Sequence, residues 1–163
     1  MYSPTSINRI CRMDYPTNKI VDFHPMHLSM IKMNDFDKDN FEKYPQNEAR
    51  LYNLSKTGIA YSGISEGEVY VIFGVWELWK GVSEAWLIPS KNISKKLFAF
   101  HRGSLKFFES YANITHTKRI QITVCSTNEL AIRWAEKCYF KKEGEMLHYG
   151  ISGENYFLYA RYF

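Results

Sequence analysis

KRIQITVCSTNELAIRWAEKCYFKKEGEMLHYGISGENYFLYARYF, residues 118–163, decides how the rest of the chain is read. Ile120, Ile122 and Val124 alternate with Gln121 and Thr123, the period-two pattern of a strand with one buried face. Ser126, Thr127 or Asn128 then offers a helix cap. Glu129 places an acid in the first turn, beside the positive end of the helix dipole. Leu130, Ala131, Trp134, Ala135 and Cys138 fall on one helical stripe. Lys137, Lys141 and Lys142 gather at its C-terminal end, where positive charge suits the dipole. Met146 to Tyr149 reads as a short strand, Ile151 to Asn155 as a turn, and Tyr156 to Phe163 as an aromatic closing strand. Strand, helix, strand, hairpin and strand make one compact α/β unit.

Upstream, Lys19 to Phe23 has strand character, and Pro25 sits where the first turn of a helix from His24 to about Met33 accepts it. Asn34 to Asn40 is acidic and polar and reads as a loop. Phe41 to Lys56 contains a second helix, strongest from Gln46, which Thr57-Gly58 stops. Ile59–Ile64, Val69–Trp76 and Ser83–Ile88 are three strands. Their turns, Ser65–Glu68 and Leu78–Val82, are too short for a parallel crossover, so an antiparallel meander is expected. A long helix begins at Ile93 or Ser94 and runs to Tyr111, with Leu97, Phe98, His101, Leu105, Phe108 and Tyr111 on its apolar side. Ala112 to Thr117 links it to the last third. Residues 1–18 have weak periodicity and read as an extension; residues 19–163 form a single domain.

At 163 residues and 45% hydrophobic content, one domain has enough apolar material for a core. Cys11, Cys125 and Cys138 form no C-x-x-C pair and no even framework, which suggests a reducing compartment and small buried residues rather than reactive thiols. The N-terminus lacks an apolar stretch of signal-peptide length, so a cytoplasmic protein is expected; a virion-packaged one reads the same. The net charge of +4, with pI ≈ 8.9, is mild. An arginine-rich tail, zinc-finger spacing and a Gly-Lys-Ser/Thr phosphate loop are all absent from the sequence. His24 and His27 share a helix face but lack a third ligand at metal-binding spacing, so no metal is expected.

NELAIRWAEKCYFKKEG, residues 128–144, resembles the C-terminal signature of the GCN5-related N-acetyltransferases, the GNAT superfamily. HYGISGENYFLYAR, residues 148–161, continues the resemblance, and the order of elements upstream matches it. The resemblance implies an α/β (α+β) fold: a mixed, mainly antiparallel central sheet of about six to seven strands flanked by about four helices. It also implies an acyltransferase that moves an acetyl or other acyl group from acyl-CoA to an amine by direct transfer. GVSEAWLIPS (81–90), AFHR (99–102) and RWAEK (133–137) look like divergent members encoded by tailed bacteriophages. That flavour implies two alternatives. One is a non-catalytic internal virion or assembly protein that keeps the fold. The other is a nucleic-acid-modifying enzyme, which needs a basic, aromatic cleft.

Carried over residue by residue, the resemblance gives backbone of Trp86, Leu87 and Ile88 to the pantetheine arm. The start of the long helix, with Ser90, Asn92, Ser94, Lys95 and Lys96, takes the pyrophosphate, since free N–H groups and the dipole favour anions there. Asn128 matches the family's Asn on the cofactor arm, and a helix cap explains it equally well. Glu84 is the candidate general base for the acceptor amine, among Trp76, Trp79 and Trp86. Two departures stand out. The phosphate loop PSKNISKK (89–96) has no glycine, and Ala135 stands where many members carry a Tyr general acid; Tyr139 replaces a usual Gly. The acceptor, a small-molecule or protein amine, is not legible. For Tyr156–Phe163, pairing with a second copy in a homodimer and lying inside the sheet both stay open.

Overall fold

The computed structural model describes residues 18–44 and 46–163. The extension expected for residues 1–18 therefore lies outside the described residues, apart from Asn18. In chain order the elements are β1 (Asn18–Asp22), α1 (Met26–Met30), α2 (Asp35–Lys43), α3 (Asn47–Thr57), β2 (Ile59–Ser65), β3 (Glu68–Trp79) and β4 (Val82–Pro89). A 3-10 turn (Ile93–Lys96) leads into α4 (Leu97–Thr115), followed by β5 (Arg119–Cys125), α5 (Glu129–Lys137), β6 (Lys141–Met146) and β7 (Tyr156–Tyr162). The seven strands form one sheet in the order β1-β2-β3-β4-β5-β7-β6. Every pairing is antiparallel except β4 with β5. The expected mixed, mainly antiparallel sheet is thus present, and β7 lies inside it.

Each sheet face carries its own core. On the front face, Leu28 and Ile31 around α1 and Leu51 of α3 pack on Val69 and Ile72. On the rear face, Phe107, Phe108 and Tyr111 of α4 and Ala135 and Cys138 of α5 pack on Val75, Ala85, Ile120, Ile122, Val124 and Tyr159. Between α4 and α5, Phe100 stacks on Trp134 at 5.6 Å, and Phe108 meets Phe140 edge to face at 5.2 Å. The Ser65–Glu68 turn has positive φ at both Glu66 and Gly67, the geometry that matches strand twist in a two-residue hairpin.

Several local readings change. Asn34–Asn40 is not a loop but the start of α2: Asn34 Oδ1 accepts the Asp37 N–H at 2.8 Å, and Asp35 and Asp37 sit at the dipole's positive end. Five helices stand where about four were expected. Lys141 and Lys142 do not close a helix; they open β6, whose sequence KKEGEM carries no apolar alternation, as suits an edge strand. The strand expected at Met146–Tyr149 is displaced accordingly. On α4 the buried face is Gly103, Phe107, Phe108, Tyr111 and Ala112, while Leu97 and Phe98 of the stripe face solvent. Leu130 on α5 is exposed as well.

Gly74 shows how closely the front face is packed. A Cβ there would lie 2.6 Å from the Ile59 carbonyl oxygen and 2.7 Å from the Trp86 ring. Gly74→Ala is expected to lower stability by about 1–3 kcal/mol, as overpacking of a filled core does, measured as a shift in the urea unfolding midpoint followed by tryptophan fluorescence. An unchanged midpoint would show that the Trp86 ring moves aside freely.

Candidate functional site

The parallel ladder between β4 and β5 is short. It holds Val82 to Arg119, Ser83 to Ile120 and Glu84 to Gln121, and then stops. Beyond it β4 continues to Pro89 against β3, and β5 continues to Cys125 against β7. The two central strands therefore splay into a V with Glu84 and Gln121 at its vertex. Each arm is tied away from the other. At the end of β4, the Ser90 N–H donates to Tyr70 O and the Lys91 N–H to Lys32 O, both at 2.8 Å. At the end of β5, the Ser126 N–H donates to Asn155 O at 2.9 Å.

The same bonds fix which backbone groups look into the V. Antiparallel residues alternate in the direction of their N–H and C=O groups. Because Ser90 turns to β3, so do Ile88 and Trp86, and Ala85 and Leu87 turn to the split. Because Ser126 turns to β7, so do Val124 and Ile122, leaving Thr123 and Cys125 to face the split. Of the three residues expected to offer backbone to a pantetheine arm, only Leu87 turns its N–H and C=O to the split in this register. Trp86 and Ile88 instead place side chains in the front core.

Glu84 stands at the vertex on the front face, opposite Trp76 on β3. Gln121 Nε2 donates to Glu84 Oε2 at 3.0 Å. Gln121 Oε1 accepts from Arg119 Nη2 at 3.4 Å, which orients the amide so that its nitrogen faces the carboxylate. Arg119 in turn holds Glu143 through both guanidinium nitrogens, at 2.9 and 2.5 Å, and reaches the Tyr162 hydroxyl at 3.2 Å; that hydroxyl also donates to Glu143. The polar row along the front face thus ends on Glu84, with one carboxylate oxygen left for another donor. Trp76 and Trp86 bury indole N–H groups without a hydrogen-bond partner among the described residues. Trp79 is well exposed and takes no part. Gln121 and Arg119 were not singled out in the sequence. Their only signal there is position, on the polar side of the alternation that carries Ile120, Ile122 and Val124.

Of the residues expected to meet phosphates, Ser90, Asn92 and Lys96 are engaged elsewhere. Ser90 is buried; its hydroxyl donates to Lys32 O at 3.2 Å and accepts the Asn92 N–H at 3.2 Å. Asn92 Nδ2 donates to Glu68 Oε1 at 2.8 Å. That bond first, and then the charges of Lys32 and Lys95, hold the Glu68 carboxyl below its usual range. Lys96 pairs with Glu66 at 3.6 Å and lies over the Tyr70 ring. Ser94 and Lys95 are exposed. Asn128 caps α5: its Oδ1 accepts the Ala131 N–H at 3.1 Å, and its Nδ2 has no partner among the described residues.

Ala135 is fully buried in the rear core and brings no acid to the split. Tyr139, in a left-handed conformation, faces solvent beside Arg161. His101 Nδ1 lies 3.6 Å from the Cys138 thiol, which burial pushes up to about 12. At the open end of the V, Tyr156 pairs with Cys125 across β7 and β5, and burial, with smaller effects of Cys125, Glu154 and Asp37, raises its hydroxyl to about 12. It therefore stays protonated at neutral pH.

This architecture has solved counterparts. An acetyltransferase of the GNAT family from Bacillus anthracis superposes with a TM-score of 0.69, covering 92% of this chain and 97% of its own at 14% identity. The ribosomal L7/L12 alpha-N-protein acetyltransferase RimL, in an apo form, gives 0.70 over 91% and 92% at 11% identity. The microcin C7 self-immunity acetyltransferase MccE, solved with acetyl-CoA and AMP, gives 0.69 over 91% and 94% at 12% identity. At these identities the shared property is the fold. No protein-family model matches the chain, and no curated protein matches it by sequence.

Arg119 and the Tyr162 hydroxyl hold the Glu143 carboxyl at about 2, against an ordinary value of 4.5. A carboxylate with a depressed value stabilises the folded state above the unfolded value and loses that contribution as pH falls through the folded one. The stability difference between wild type and Arg119→Ala, measured by chemical denaturation, is therefore expected to be full at neutral pH. It should shrink as pH falls below about 4.5 and close near pH 2. A gap that stays constant down to that pH would assign Arg119's contribution to packing.

Proposed function

We propose that this protein is an acyltransferase that moves an acetyl or related acyl group from the pantetheine thioester of acyl-CoA to an amine by direct transfer. The observation that carries the reading is the V between β4 and β5, with an available carboxylate at its vertex. Splayed strands leave N–H and C=O groups unpaired, and a pantetheine arm, which carries two amides, pairs with such groups as an added strand does. The open backbone of Leu87 and the Ala85 carbonyl on one arm, and of Thr123 and the Cys125 N–H on the other, fits that arm. The cofactor supplies an activated acyl carbon and a thiolate leaving group.

The chain's own groups then have distinct tasks. The Leu87 N–H points into the split, where a donor stabilises negative charge gathering on an acyl oxygen. Glu84, held by Gln121, takes the proton that the amine loses as its nitrogen bonds to the acyl carbon and the carbon–sulfur bond breaks. Ala135 leaves the departing sulfur without the usual phenol, so its proton comes from solvent or from a group at the open end of the split. Holding two substrates together supplies much of the rate without that acid. The acceptor, a small-molecule or protein amine, approaches on the front face, between α1–α3 and the exposed surface of β5, β7 and β6.

A second reading has specific support. Ala135 and the occupied phosphate loop also suit an assembly protein that keeps the fold without catalysis. Acyl transfer to a panel of small amines and peptide N-termini, followed by thiol release, separates the two. Glu84→Gln is expected to lower kcat/KM by about 10²–10⁴-fold, the usual worth of a general base, with donor binding little changed. An active enzyme indifferent to Glu84→Gln would remove Glu84 from the reaction. A folded protein that neither binds nor uses an acyl donor would favour the assembly role.

A further inference from the structure

We infer that this protein recognises its donor by the pantetheine arm alone and leaves the nucleotide diphosphate ungripped. Acyl-pantetheine thioesters lacking the adenine nucleotide then belong to its substrate class. The inference rests on the acyltransferase reading above and sharpens it.

A backbone phosphate cradle needs several N–H groups pointing out of a loop, usually with glycine so that nothing blocks the approach. The loop after β4 meets neither condition. Pro89 has no N–H. The Ser90 N–H donates to Tyr70 O, Lys91 to Lys32 O, Asn92 to Ser90 Oγ, Ile93 to Ser90 O and Lys95 to Asn92 O, all between 2.8 and 3.2 Å. The Leu97 N–H donates to Ser94 O, and the 3-10 turn from Ile93 to Lys96 consumes the Lys96 N–H in the same pattern. The first turn that would face an anion is thus wound tight and mostly bonded to itself, with the Ser94 N–H alone left over among the amides from Ser90 to Leu97.

The side chains repeat this. Lys32 lies 3.5 Å from Glu68 and Lys96 lies 3.6 Å from Glu66, while Asn92 spends its amide on Glu68. A diphosphate entering here would meet Glu66 and Glu68 among the lysines and would have to displace them. The surface that follows is apolar. Leu97 and Phe98 on the first turn of α4 are 49% and 74% exposed, and Leu130 on the first turn of α5 is 75% exposed. These two turns follow the open ends of β4 and β5; the cations left uncommitted beside them are Lys91 and Lys95, both exposed, while Arg102 lies over the Phe98 ring at 5.4 Å. Within the split the position is reversed: Leu87 and Thr123, with the Ala85 carbonyl and the Cys125 N–H, present unpaired backbone to an amide-bearing arm. Binding groups are kept for one half of CoA and withdrawn from the other.

The test compares ligands on the wild-type protein by calorimetry and by chemical-shift titration. Pantetheine and CoA are expected to bind within about fivefold of one another, since the difference measures only what the nucleotide adds. The adenine-nucleotide half of CoA, supplied alone in excess, should not displace pantetheine. With acetyl-pantetheine and acetyl-CoA as donors, kcat/KM should likewise agree within about tenfold. CoA binding more than about a hundredfold tighter than pantetheine, or displacement by the nucleotide half, would overturn the inference and leave the acyltransferase reading intact. Failure of both pantetheine and CoA to bind the folded protein would overturn the inference together with that reading.

Discussion

The structure depends on the divergence of two neighbouring strands that a short parallel ladder starts together. Three residue pairs join β4 to β5, and then the Ser90 and Lys91 amides pull one arm toward β3 and the chain after α1, while the Ser126 amide pulls the other toward the β6–β7 hairpin. Without those anchors the ladder would be free to extend, since unpaired backbone in a sheet interior is costly. With them, the interior of the sheet keeps a row of unpaired groups that suits a ligand able to complete it.

The anchoring has a second consequence. The bonds that hold the β4 arm open are made by the N–H groups of the loop that follows it, so the opening of the split and the closing of the phosphate loop are one arrangement. Glycines would let that loop swing its amides outward; Ser90, Lys91 and Asn92 instead turn them inward, and the buried Ser90 hydroxyl completes the turn. The charge pairs Lys32–Glu68 and Lys96–Glu66 then settle over it. These pairs are partly solvent-exposed and contribute little to stability, and Lys91 and Lys95 remain exposed beside them.

At the vertex the reverse holds, and charge is concentrated. Glu84 is tied to β5 only through the Gln121 amide, whose orientation is set by Arg119, itself held by Glu143 and Tyr162 on β6 and β7. A candidate base on the fourth strand is thus positioned by residues of three others. The row runs across the front face from the vertex of the split to the edge strand β6.

Much of this was open to reading in the sequence. The alternation from Ile120 to Val124, the Asn128 cap, the three-strand meander and the aromatic last strand are local patterns, and each appears within three residues of its expected bounds. The family-like order of elements put Glu84 beside the cleft. Asn34 as a cap is legible too, but the acidic run after it has the composition of a loop. What tertiary structure alone decided is non-local. A strand such as KKEGEM shows no period because one side of it is an edge. The face of α4 that is buried depends on where β5 and α5 come to rest, so Phe107 goes in and Phe98 stays out. Above all, whether the Ser90 and Lys91 amides point outward or inward is set by carbonyls at Tyr70 and Lys32, at least twenty residues distant in the chain. Sequence spacing fixes which side chains alternate; only the register of the assembled sheet fixes which backbone groups are left free.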